Sequence, residues 1–143
     1  MEFTVRPARP DDHPALLRLF PLLGVDDPVP DLQRWTEQFC PSTVVACDAT
    51  GSVGAYLYAQ RLAGSCYVRN LVVDPAWQGA RVGRRLLLGL AAELRAEGIT
   101  RWELNVKPDN PPAVALYRRV GMSRVWGSAA LRMPWAAVEA LPK

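Results

Sequence analysis

In the first half of the chain, apolar residues fall in short runs of β-branched and aromatic side chains. In the second half, such runs alternate with stretches of helical period. Phe3-Thr4-Val5-Arg6 alternates and predicts a first strand, followed by a turn from Pro7 to Asp12 with Asp11 or Asp12 as a helix cap. A helix is expected from His13 through Phe20, kinked or shortened by Pro21. Gly24 to Pro30 reads as a loop, and Asp31 as the cap of a helix covering Leu32, Trp35 and Phe39. Thr43 to Cys47 and Ser52 to Ala59 predict two strands joined by a turn at Asp48-Ala49-Thr50-Gly51. A turn from Arg61 to Gly64 leads into a fourth strand, Ser65 to Val73. Asp74-Pro75 ends that strand, since proline disfavours helical geometry before it and carries no amide.

From Val82 the period changes. Val82, Leu86, Leu90 and Leu94 recur every four residues, and Leu87 and Ala91 widen the apolar face of a helix running to Glu97, with Gly98 as its C′ residue. Ile99 to Val106 predicts a fifth strand, with Trp102, Leu104 and Val106 on one side and Glu103 and Asn105 on the other. Reached by a helical crossover, it should lie parallel to the fourth. After a loop at Lys107-Pro108-Asp109, Asn110 caps a helix that opens on Pro111 and Pro112, runs from Ala113 to Val120 and stops at Gly121. Val125 to Ala130 and Ala129 to Met133 suggest two closing strands ended by Pro134, and Ala136 to Lys143 a short helix or frayed tail. The expectation is an α/β (α+β) chain forming a single domain over residues 1–143. It has an antiparallel N-terminal meander, a mixed central sheet of about six to seven strands and about four helices.

The stretch from Leu71 to Leu87 carries the chemistry. A strand passing through a Gly-containing loop into a helix presents unpaired amides at the positive end of the helix dipole. Gly79 and Gly83 let the backbone turn tightly and approach a ligand closely, while Arg81, Arg84 and Arg85 add positive charge at the same place. This suits a phosphate, or a diphosphate; the alternative is an ordinary strand-to-helix connection with a solvated basic first turn. The spacing matches neither a Walker A loop nor a dinucleotide G-x-G-x-x-G.

Composition narrows the field. A chain of 143 residues, half of them hydrophobic, suits one globular domain. No apolar run reaches the length of a membrane span, and no signal-peptide pattern opens the chain. Cys40, Cys47 and Cys66 lack metal-site spacing, so no metal is expected; they read as reduced cysteines of a cytoplasmic protein, with Cys47 and Cys66 as small core residues. The net charge of +3 is carried almost wholly by arginine and is too sparse for a nucleic-acid-binding surface. His13 reads as a solvated surface histidine. Asp26, Asp27, Asp31 and Glu37 form either an acidic rim that attracts a cationic amine or simply a solvated face.

Two phrases carry a resemblance. Gln78-Gly79-Ala80-Arg81-Val82-Gly83 is similar to the acetyl-CoA loop of the GCN5-related N-acetyltransferase (GNAT) family, Gln/Arg-x-x-Gly-x-Gly/Ala, with Arg81 standing where the family has its first glycine. A side chain there must point away from the diphosphate, or the loop must shift. Asn110-Pro111-Pro112-Ala113-Val114-Ala115-Leu116-Tyr117-Arg118-Arg119-Val120-Gly121-Met122 resembles the family's second motif, Asn-x-x-Ala-x-x-Leu-Tyr-x-x-x-Gly-Phe, in the family's order and distance. Asn70-Leu71-Val72-Val73-Asp74-Pro75 resembles the phrasing of ribosomal-protein N-terminal acetyltransferases.

The resemblance implies splayed fourth and fifth strands with acetyl-CoA between them. The pantetheine then pairs with the backbone of Leu71, Val72 and Val73. Gln78, Gly79, Ala80, Arg81, Val82, Gly83 and Arg84 hold the diphosphate, Arg84 or Arg85 reaches the 3′-phosphate, and Asn110 belongs to the cofactor site. Tyr117 matches the family's general acid. The position of a glutamate base in relatives that acetylate protein N-termini is held by Asn105, which cannot take a proton; Glu103 through a water, or water and backbone carbonyls, are the alternatives. The implied function is transfer of an acetyl group from acetyl-CoA to a primary amine of a small molecule or peptide by direct attack. The assembly is left open, a homodimer among the options. Two competing readings are a catalytically impaired CoA-binding regulatory domain and a basic RNA-associated module, which salt-sensitive RNA binding would mark.

Overall fold

A computed structural model describes residues 2–24, 26–99, 101–105, 123–124 and 130–134 of the chain. Its strands are β1 (Thr4–Pro7), β2 (Thr43–Cys47), β3 (Val53–Leu62), β4 (Ser65–Val73), β5 (Arg101–Asn105), β6 (Ser123–Arg124) and β7 (Ala130–Pro134). Its α-helices are α1 (His13–Leu19), α2 (Leu32–Arg34) and α3 (Val82–Ala96). The chain divides into two compact units, one of residues 1–59 and 70–86, the other of residues 60–69 and 87–143. β3, β4 and α3 each pass from one unit into the other.

In the first unit, β1 pairs antiparallel with β2 from Thr4↔Cys47 to Pro7↔Val44, and β2 pairs antiparallel with β3 from Thr43↔Tyr58 onward. This is the expected meander. The β2–β3 register slips between Ala46 and Cys47: Ala46 faces Ala55, but Cys47 faces Val53, so Gly54 is the extra residue of a β-bulge. Asp48 shapes the turn between these strands by accepting from the amides of Thr50 and Ser52 at 2.9 and 3.0 Å, and Gly51 takes φ +87°. One face of the meander packs under the helical segments. Leu16, Leu19, Phe20, Trp35, Phe39, Val45, Tyr56, Tyr58 and Val72 make one buried cluster there. Within it the Phe39 and Tyr58 rings stack at 4.3 Å.

Proline placement explains why the helical segments are short. α1 gives way at Phe20 to a 3-10 turn containing Pro21, which ends at Gly24 with φ +65°. Asp31 caps α2 as expected, accepting from the Arg34 amide at 2.8 Å. α2 then continues as a π-helical turn, Trp35–Phe39. The cap expected of Asp12 takes another form. Its carboxylate makes no side-chain cap bond to α1; it accepts both ends of the Arg6 guanidinium at 2.8 and 2.9 Å and the Arg9 amide at 2.8 Å. His13 is half-buried rather than solvated, because its Nε2 donates to the Pro30 carbonyl at 2.8 Å.

In the second unit, β4 and β5 run parallel from Ser65↔Arg101 to Val68↔Leu104, as the crossover requires. β7 pairs antiparallel with both β5 and β6. The closing strands are described at Ser123–Arg124 and Ala130–Pro134; Val125 to Ala129, where the first is expected, lie outside the described residues. α3 ends in a complete Schellman motif: the Gly98 amide donates to the Arg95 carbonyl at 3.1 Å, the Ile99 amide to the Leu94 carbonyl at 2.9 Å, and Gly98 has φ +75°. The turn expected over Arg61 to Gly64 is tighter, since Arg61 and Leu62 still belong to β3. Arg61 bridges Glu93 of α3 and Glu97, the residue just past its end, at 3.2 and 2.9 Å. All three cysteines are free thiols; Cys47 and Cys66 are buried, and burial pushes the Cys66 thiol up to about 11. Among the described residues no helix is long and apolar enough to cross a membrane.

Candidate functional site

The site grows from the end of β4. Proline cannot extend the strand, so the chain leaves it at Asp74 and makes a 3-10 turn, Pro75–Trp77. Asp74 holds that turn at three points. Its Oδ1 accepts from the Ala76 amide at 2.9 Å, its carbonyl from the Trp77 amide at 2.8 Å, and its own amide donates to the Gly54 carbonyl at 2.7 Å. Arg18 of α1 faces Asp74 across 3.6 Å and donates to the Val53 carbonyl. Two looser bonds of 3.3 Å follow, Gln78 amide to Pro75 carbonyl and Ala80 amide to Trp77 carbonyl.

The loop then turns through two left-handed residues, Gly79 at φ +90° and Arg81 at φ +60°. Among the described residues Arg81 is the only non-glycine residue with positive φ. At the position of the family's first glycine, this chain therefore keeps glycine's backbone geometry and puts a side chain on it. The arginine has not shifted the loop into an ordinary conformation; it adopts one that costs an L-residue about 1 kcal/mol. The Arg85 amide closes the first helical bond onto the Arg81 carbonyl at 3.1 Å. The amides before it, at Val82 and Gly83, belong to the turn that has no intrahelical acceptor. They sit at the positive end of a helix of 15 residues. Gly83 and Val82 are buried, Arg84 is half-buried, and Gln78, Gly79 and Arg81 are exposed.

Arg85 and Arg81 are placed differently. The Arg85 guanidinium lies over the Phe3 ring, 5.0 Å from its centroid, which ties it to the N-terminal segment. Arg81, on the loop itself, is exposed. Upstream, Val72 is buried while Leu71 and Val73 are half-buried, and β4 runs to Val73, beyond the Val68↔Leu104 pair that ends its register with β5. The structure thus brings Leu71 to Val73 and Gln78 to Arg84 together as one continuous strand–loop–helix segment. Asn110 and Tyr117 lie outside the described residues. Glu103 is half-buried and stands 3.9 Å from the Arg101 guanidinium; Asn105 pairs with Ala130 across β5 and β7. Asp26, Asp27, Asp31 and Glu37 are all exposed.

Three contributors were not read from the sequence: Gly54, Trp77 and Phe3. Gly54 alone left a signal, a glycine inside a strand pattern, which marks a bulge or a close approach. Both occur here. A Cβ built at Gly54 would stand 2.1 Å from the Trp77 indole, so the ring rests directly on the glycine backbone.

Comparison with known proteins agrees with this geometry. A family model described as "Acetyltransferase (GNAT) family" matches residues 13–122. The N-alpha-acetyltransferase RimI of Mycobacterium tuberculosis is 48% identical over 58 residues, covering 41% of this chain and 35% of that protein. The ribosomal protein bS18-alanine N-acetyltransferase of Escherichia coli K12 is 33% identical over 73 residues, covering 51% of this chain and 49% of the relative. These matches span half or less of the length of the curated relatives. Among solved structures, a GNAT superfamily phosphinothricin acetyltransferase from Sinorhizobium meliloti in complex with AcCoA superposes with a TM-score of 0.78 at 19% identity, covering 94% of this chain and 89% of that one. A mixed sheet with parallel β4 and β5, a left-handed loop at the start of α3, and a family match enclosing both lead to one conclusion: the chain belongs to the acetyltransferase (GNAT) family.

Proposed function

We propose that this protein is an N-acetyltransferase that moves an acetyl group from acetyl-CoA to a primary amine of a small molecule or peptide. The observation that carries the reading is the family match over residues 13–122, which encloses a loop whose Gly79 and Arg81 are both left-handed. The residues present fit a CoA diphosphate. The amides of Val82 and Gly83 lie in the first turn, at the positive helix end, and the exposed Arg81 adds positive charge to the loop. Among the relatives, one acts on the alanine of a ribosomal protein according to its name, and another was solved with AcCoA. These support a peptide amine as acceptor and acetyl-CoA as donor.

When bound, acetyl-CoA supplies an activated thioester carbonyl. Everything else falls to the chain. Backbone groups of Leu71, Val72 and Val73 are assigned to the pantetheine arm. Gln78 to Arg84 hold the diphosphate, with Asn110 completing the cofactor site. Tyr117 is assigned as the general acid that delivers a proton to the departing sulfur. Asn105 cannot act as a base, so the incoming amine loses its proton to water held by backbone carbonyls, with Glu103 acting through a water as the other route.

The test begins with calorimetric titration of acetyl-CoA and then CoA into the protein, followed by a screen of amines and N-terminal peptides with thiol detection. Micromolar binding with thiol release from one amine class establishes the activity and names the acceptor. CoA binding without thiol release from any amine sinks the enzyme reading in favour of a cofactor-binding domain. Absence of binding sinks both. Tyr117→Phe should lower turnover about 100-fold, within the range for a general acid, while leaving CoA affinity within about twofold.

A further inference from the structure

The segment just before the proposed cofactor loop is seated in an unusual way. Gly54 is the extra residue of the β3 bulge, with no cross-strand partner in the β2 register. Its missing side chain is filled by the Trp77 indole: a Cβ there would stand 2.1, 2.2 and 2.6 Å from Cε2, Cδ2 and Cζ2 of that ring. The glycine carbonyl meanwhile accepts from the Asp74 amide at 2.7 Å. One bulged residue therefore receives both ends of the Asp74–Trp77 turn, the first by a hydrogen bond and the last by ring contact. Trp77 in turn is the residue on which the loop hangs, since its carbonyl accepts from the Ala80 amide at 3.3 Å.

The far side of the loop returns to the same place. Phe3 lies 6.3 Å from the Trp77 ring, tilted by 45°, and the Arg85 guanidinium covers the Phe3 ring at 5.0 Å. Trp77 precedes Gln78, and Arg85 follows Arg84. Residues 78–84 are thus bracketed by two side chains that both meet Phe3. Between the brackets Gln78 and Ala80 donate backbone bonds of 3.3 Å and Gly79 and Arg81 are left-handed, ahead of the first helical bond from the Arg85 amide to the Arg81 carbonyl at 3.1 Å.

We infer that Gly54, Trp77 and Phe3 form a positioning device for the cofactor loop, in which the indole seated on the β3 bulge fixes where the loop amides and Arg81 point. Bulges beside functional sites serve to re-aim a neighbouring segment. Trp77 is a positioning residue here. It sets the geometry of groups that contact the cofactor and touches no reacting atom. The inference rests on the assignment of residues 78–84 to CoA.

The test is a size-exchange cycle read by CoA calorimetry and thermal melting on the whole chain: Gly54→Ala, Trp77→Phe and the pair together. Gly54→Ala lifts the indole off its seat and is expected to weaken CoA binding about tenfold. In the double variant a smaller ring meets a seat narrowed by the added methyl, and affinity is expected to return to within about threefold of the parent. Recovery of affinity by a second substitution is a readout that a general loss of stability would not produce. Phe3→Ala, at the edge of the chain, covers the case in which Gly54→Ala does not fold; it should weaken CoA binding about threefold. Parent-like affinity in folded Gly54→Ala, no recovery in the double variant, or parent-like affinity in Phe3→Ala when it alone folds, each overturns the inference while leaving the cofactor assignment intact. Failure of the parent protein to bind CoA overturns the assignment itself and the inference with it.

Discussion

Arg81 shows how much one backbone angle can say. At φ +60° it holds a conformation that suits glycine, and its side chain is exposed. Arg81→Gly should remove about 1 kcal/mol of strain. The melting temperature should then rise by roughly 3 °C, read by a thermal melt without ligand. A parent-like melting temperature would show that the arginine is not strained. The mismatch with the family phrase was legible in the sequence; which way the mismatch would be resolved was not, because the sequence does not say whether a loop keeps its path under strain. Asp12 is a second case. Its position beside a helix start suggested a cap, but an arginine six residues earlier offers a two-pronged charged partner, and the carboxylate turns to it. Burial pushes the Asp12 carboxyl up, yet the bonds from Arg6 and the Arg9 amide outweigh it and hold the group below the ordinary carboxylate range. A carboxylate lowered on folding stabilises the protein fully above its unfolded value of about 3.9. That contribution is lost as pH falls through the lower folded value. Asp12→Asn should therefore cost about 2 kcal/mol at neutral pH, and the difference from the parent should shrink below about pH 4. Urea titrations at both pH values check it, and an equal difference at both would refute the ionic account.

At the scale of elements, periodicity served where one force dominates. α3 reads plainly from Val82, Leu86, Leu90 and Leu94, all of them buried, and its end reads from Gly98. Gly98→Ala keeps the helix but forces a Cβ into φ +75°, so about 1 kcal/mol should be lost with little change in helical content by circular dichroism. A loss near zero would mean that the Schellman turn has an alternative ending. The π-helical turn at Trp35–Phe39 was not legible, since nothing in its spacing distinguishes it from an α-helix; packing decides it. The β3–β4 hairpin is tighter than residue polarity predicts, for a similar reason. Arg61 looks like a turn residue by polarity, but it stays in the strand and meets Glu93 and Glu97. Gly54 was legible as an oddity and no more. Its meaning depends on Trp77, 23 positions later, and single-residue patterns do not show such pairs.

For the whole molecule, a cofactor-binding function has a simple thermodynamic signature. Anything bound by the folded chain and not by the unfolded one stabilises it, by about 2.7 kcal/mol at a hundred times its dissociation constant. Saturating CoA should raise the melting temperature by roughly 8 °C, with dephospho-CoA giving less if an arginine contacts the 3′-phosphate. An unchanged melting temperature in saturating CoA would contradict the assignment of the Gln78–Arg84 loop. The family was legible at this scale from two phrases, Gln78 to Gly83 and Asn110 to Met122. The acceptor was not, because the segment between α1 and β2 is built from short turns whose exposed acidic residues suit solvent as well as an amine.

The seating of Trp77 has an optical consequence. Of the tryptophans in the described residues, Trp35 and Trp102 are enclosed at 1% and 0% exposure, far from water in any ligand state that preserves the core. Trp77, at 8%, is the one whose carbonyl and ring both belong to the entrance of the loop. The chain holds five tryptophans, so the emission lost in Trp77→Phe is what isolates this indole, and that difference should report the loop without a label.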